Sequence, residues 1–121
     1  MSADDELFAA ILANKDFARY RGAPKRALEQ EGFLCSLLFE DVVDDWLLAR
    51  DLGEYLVLVY PDLLVGHLIL AKACRHLSDS VRALQQIARC REIIASGGLL
   101  PVEMRLLAPV VDGEARLLSV G

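Results

Sequence analysis

Apolar residues recur at intervals of three and four along most of this chain. Glycine, proline and small polar residues divide the pattern into helical stretches. The clearest stretch is 60–95, YPDLLVGHLILAKACRHLSDSVRALQQIARCREIIA, two helical patterns broken at 76–80. Pro61 suits a first helical turn, where a missing N–H is harmless, and Asp62 is a start signal beside it. Ser78, Asp79 and Ser80 can each accept a bond from an unsatisfied N–H where the second helix begins. Gly97 and Gly98 supply the stop. The stretch predicts an antiparallel helical hairpin.

The flanking segments follow the same logic. Residues 2–20 predict a helix, with Ser2 as cap and Asp4, Asp5 and Glu6 in the first turn, where the helix dipole favours acids. Phe8, Ile11, Leu12 and Ala18 form its apolar stripe, and Gly22 with Pro24 ends it. The run 33–39, FLCSLLF, suits a buried strand or a buried helix. No second strand candidate lies near it, so a helix is expected. Residues 44–60 predict a helix capped by Asp44 or Asp45, apolar at Trp46, Leu47, Leu48, Leu52, Tyr55, Leu56 and Val59. Its polar stripe (Arg50, Asp51, Glu54) is narrow, as in a helix that is buried or meets another chain. Gly53 within it costs about 1 kcal/mol relative to alanine, which implies that a neighbouring helix approaches closely there. Pro101 opens a short helix with Val102, Leu106 and Leu107 on its apolar side. Pro109 is expected to end it, Asp112-Gly113 to turn, and 114–119 to add a last turn. The sum is a single all-α domain of five to seven helices.

Within the hairpin, His67-x₂-Leu70-Ala71-x₂-Cys74 precedes Ala83-x₃-Ile87. This resembles the tetratricopeptide repeat pattern of aromatic, Leu, small residue and Tyr, followed by Ala-x₃-Phe and a closing Pro. Pro61 stands where a preceding repeat would close. About 34 residues earlier, Ala49 matches Ala83 and Phe33 takes the aromatic position. His67, Cys74 and Ala95 depart from the pattern in the later unit, and Ser36, Leu37, Glu40 and Gly53 in the earlier one. The resemblance covers about 30–96. After the N-terminal helix (1–22), it implies a degenerate repeat (30–63), a repeat-like hairpin (64–97) and a capping segment (98–121), as antiparallel hairpins in a short right-handed array. Such a terminal segment covers an apolar face left open by the stack.

Composition narrows the function. The chain has 121 residues, 55% of them hydrophobic, above the usual range for soluble domains. No apolar run reaches the roughly 18–20 residues that span a bilayer, and the acidic start is no targeting segment. The apolar surplus therefore points to an oligomer or partner interface, with a C₂ homodimer as the simplest form. Three cysteines (Cys35, Cys74, Cys90) with no CxxC pair favour a reducing, cytoplasmic setting. Net charge is −5, divided as −7 over 1–63 and +2 over 64–121, which makes a poor nucleic-acid binder.

Candidate chemistry is sparse. His67, Cys74, His76 and Cys90 lack zinc-ligand spacing, and Glu40, Asp41, Asp44 and Asp45 lack a calcium loop's glycine. Cys35 sits in an apolar run, which suppresses thiolate formation. No P-loop, GxGxxG or GxSxG occurs. Neither a cofactor, a metal nor catalysis is expected. On the first hairpin helix, Val65, Leu68, Lys72, Arg75 and His76 share one face. In tetratricopeptide folds the first helix of each repeat lines a peptide-holding groove, so the resemblance makes these five residues the partner-binding groove. With Arg82 and Arg89 on the next helix, it would take an acidic peptide or partner protein. The expected function is a protein-interaction module or adaptor. The alternatives are a regulatory or sensor domain for a small apolar ligand and a homodimerisation domain.

Overall fold

The structure is a computed structural model that describes residues 45–59, 61–99 and 101–120. The helices expected over 2–20 and 24–43, with Cys35, lie outside the described residues. The described residues form four helices, in order α1 (Trp46–Val59), α2 (Leu64–His76), α3 (Ser80–Ala95) and α4 (Pro101–Val120). Among the described residues the fold is all-helical, with no strand.

Local chemistry accounts for most of the helix ends. Asp45 caps α1: its Oδ1 accepts the Leu48 N–H at 3.0 Å. Asp79 caps α3, accepting the Arg82 N–H at 3.2 Å. Gly97 stops α3 with φ +76°, a left-handed conformation that costs glycine nothing. α2 closes differently. The Asp79 N–H reaches back to the Cys74 carbonyl (2.8 Å), and the Ser78 N–H to that of Arg75 (3.1 Å). This six-to-one and five-to-two pair is the closure that normally places glycine at the left-handed position. Here Ser78 holds it, at φ +66°.

Two expectations are corrected. Pro61 lies in the turn before α2, not in its first helical turn, and Leu63 at the cap position makes no side-chain bond. Pro109 does not end the last helix. α4 runs unbroken through Pro109 and Gly113 to Val120. The physical reason is long-range. Leu107, Val111, Glu114 and Leu118 are all buried. Their spacing of i, i+4, i+7 and i+11 puts them on one continuous helical face. Burying that face outweighs a proline penalty of about 3 kcal/mol.

α2 is the centre. All of Leu64–Cys74 is buried. α1 and α3 both pack along it, and α4 packs on α3 and touches α2. Leu52 and Leu56 of α1, Ile87 and Ile93 of α3, and Leu107 and Val111 of α4 join it in one core.

Candidate partner-binding surface

The five residues expected to line an open groove on α2 fare unequally. Val65 and Leu68 are fully buried, and Lys72 nearly so. Only Arg75 and His76, in the last turn, reach solvent. Periodicity puts the five on one face of α2. It could not show that α2 is covered on that face as well as on the opposite one.

The cations of this face are engaged by α4. Lys72 Nζ donates to Glu114 Oε1 at 2.8 Å. Arg75 grips both oxygens of the same carboxylate, Nε to Oε2 at 2.7 Å and Nη2 to Oε1 at 3.1 Å. Only 2% of the Glu114 side chain is exposed, against 21% for Arg75. Burial pushes the Glu114 carboxyl up, but the hydrogen bonds from Arg75 and Lys72, with their charges, outweigh it and hold the group below its ordinary value. Glu114 carried no sequence signal as a site. It directly follows the turn signal Asp112-Gly113. Its one clue was its register with Leu107, Val111 and Leu118 across Pro109.

Beside the clamp, the His76 ring stacks on Trp46 at 3.8 Å and 8° from parallel. Arg75 Nη2 donates to His76 Nε2 at 3.2 Å. The end of α2 is thus tied to the start of α1 as well as to α4.

A second polar seam runs along α3. Arg82, Gln86 and Arg89 lie on one face and meet, in turn, Glu54, His67 and Asp62. His67 is buried. Its Nε2 lies 2.6 Å from the Pro61 carbonyl and its Nδ1 2.7 Å from the Gln86 amide. Nε2 donates to the carbonyl, which can only accept, and Nδ1 meets the Gln86 side-chain amide. His67 therefore pins the α1–α2 turn to α3, a structural task. Arg89 also donates to Glu92 at 3.1 Å, and Arg91 pairs with Asp112 of α4 at 3.5 Å. The basic face expected to hold an acidic partner is neutralised within the chain.

Both described thiols are buried. Burial pushes the Cys90 thiol up to about 12 and raises that of Cys74, the latter partly offset by the charge of Arg82. Burial and a raised pKa both disfavour the thiolate that a nucleophilic cysteine needs.

The exposed apolar groups lie elsewhere. α3 turns Val81 (71% exposed), Leu84 (48%) and Ala88 away from the core. Their spacing of i, i+3 and i+7 makes one stripe. α1 exposes Leu47 and Leu58.

The described residues thus form a helical protein whose interior polar groups are committed to internal pairs and whose exposed apolar groups lie along helix faces. Set beside known protein families, curated proteins and solved structures, the chain matches none of them.

Proposed function

We propose that the chain is a non-catalytic protein-interaction module with a tetratricopeptide-like stacking of its helices. Its outer α3 face receives an apolar helix surface of a partner protein. The observation that carries this reading is the Val81–Leu84–Ala88 stripe, which faces solvent on a helix whose opposite side is well packed. Exposed apolar groups in a row are the usual mark of an interaction face. The internal commitments add support. His67, Cys74 and Cys90, the side chains best suited to chemistry, serve packing and tethering. Ala71, Cys74, Ala83 and Ile87, which carry the resemblance, all lie in the core, as close pairing of α2 with α3 requires. Internal neutralisation of Arg82, Arg89 and Arg91 accords with a protein that does not hold phosphate backbones. Among the described residues no helix is long and apolar enough to cross a membrane.

The reading includes self-association through Leu47 and Leu58 of α1, which light scattering at tens of micromolar tests; a monomer mass removes that part. A small apolar ligand finds little favour at the cavity of about 290 Å³ beside the end of α3, because Asp62, Arg89, Glu92 and Ser96 help to line it.

The test of the partner face is a photo-crosslinking amino acid at position 84 or at Asp51 in the full chain, in native lysate. The expected result is one discrete heterologous adduct from position 84, absent from position 51 and abolished by Val81→Asp in a chain that keeps its helicity. Equal or diffuse labelling from both positions would remove the reading.

A further inference from the structure

The face of α2 that the sequence marks for an acidic partner is occupied by an acid on an apolar helix, and that helix belongs to the same chain. Glu114 is held by Lys72 and Arg75, two of the five residues the resemblance assigns to the groove. The helix that carries it presents Leu107, Val111 and Leu118 to the core on either side of the acid. We propose that α4, packed on α3, closes the cationic end of this groove in cis, as a stand-in for an acidic amphipathic helix of a partner protein that exchanges with it.

Charge complementarity defines the occupant. Lys72 and Arg75 together present donors to both carboxylate oxygens, and the arginine fork fits a carboxylate in two-point fashion. A replacement helix must bring an acid with apolar residues seven and three positions before it and four after it. That is the spacing of Leu107, Val111 and Leu118 about Glu114.

α4 is suited to exchange by its own sequence. Pro109 removes a backbone donor in mid-helix, and Gly113 adds backbone freedom one residue before the acid. Such a segment is a poor helix alone and is helical here because it is docked. α2 and α3 carry neither a proline nor an interior glycine beyond Gly66. Segments of weak local preference are the ones that open below the global unfolding free energy. A partner helix without the proline would dock at a lower ordering cost and take the groove.

The proposal rests on the reading of the chain as an interaction module, and the two fail separately, since the crosslinks above probe α3 and the measurements here probe α2 and α4. Hydrogen exchange on the full chain comes first. The amides of 110–120 are expected to exchange at least about tenfold faster than those of 66–74, through an opening insensitive to mild denaturant. A labelled peptide follows, with the sequence of 101–120 and alanine at positions 109 and 113. It is expected to bind the full chain saturably. Binding should tighten about tenfold when the chain carries Glu114→Gln or Leu118→Ala, because a larger fraction of grooves is then open. The same peptide with lysine at its position 114 should bind at least about tenfold more weakly. Leu118→Ala leaves the ionic clamp intact and serves if Glu114→Gln does not fold. Three results would overturn the proposal: exchange of α4 only with global unfolding, no peptide binding to any folded chain, or binding indifferent to the charge at position 114.

Discussion

The backbone of Leu70 stands where a side chain on Gly53 would begin: a Cβ built there lies 2.9 Å from the Leu70 Cα, N and Cβ. The relationship is returned one turn away, where a Cβ on Gly66 would lie 2.9 Å from the Leu56 Cβ. α1 and α2 thus meet through two reciprocal glycines, each facing a leucine of the other helix. Gly53→Ala gains about 1 kcal/mol of helix propensity but drives a methyl group into backbone, an overpacking cost of about 1–3 kcal/mol. The expected net loss reaches about 2 kcal/mol in urea unfolding. Gly66→Ala should cost less, because one atom, the Leu56 Cβ, stands that close rather than three, and the next atoms stand 3.4–3.5 Å away. A stabilised Gly53→Ala protein would refute this contact.

The Glu114 clamp sets a pH dependence. The folded carboxyl lies below its ordinary value. Its contribution is therefore fully present above the unfolded value, about 4.3, and lost as pH falls through the folded one. Glu114→Gln leaves Lys72 and Arg75 without the carboxylate. It should cost about 3–5 kcal/mol at pH 7, nearer the lower figure because Arg75 reaches solvent. Stability curves of the two proteins should begin to approach each other as pH falls below about 4.3. Parallel curves down to pH 3 would contradict the clamp. Lys72→Glu with Arg75→Glu sets three acids together and should unfold α4, visible as lost helicity.

Ser78 holds a left-handed conformation that costs a side-chain-bearing residue about 1–2 kcal/mol. Ser78→Gly removes that strain but adds freedom to the unfolded chain. The expected gain is about 0.5–1 kcal/mol, read as a higher melting temperature. A lower melting temperature would show that the Ser78 side chain contributes more than the strain costs.

The thiols offer a chemical check. In a Cys35→Ser variant, Cys74 and Cys90 should resist a thiol-disulfide reagent at pH 8 and react once the chain is unfolded, since burial raises both thiol pKa values. Rapid labelling of the native protein would show that α2 and α3 part readily.

Several elements were legible in the chain because their causes are local. Asp45 and Asp79 cap helices through neighbours three residues away, and Gly97 stops one by its own φ. Gly53 announced a close neighbour without naming Leu70. The site was less legible. Lys72 and Arg75 were visible as a cationic pair on one face, yet their partner lies some 40 positions on in α4, beyond a proline that read as a stop.

The sequence by itself determined that the described part of the chain is helical, where α1 and α3 begin, where α3 stops, and which residues share a face, because caps, glycines and apolar spacing act within a few residues. Only the tertiary structure decided that α2 is covered over Leu64–Cys74, that α4 continues through Pro109, and that the cations of α2 close on Glu114. Those outcomes depend on how much apolar surface distant segments bury together. That energy exceeds a local proline penalty and the cost of drawing paired charges out of water, and no local pattern encodes it.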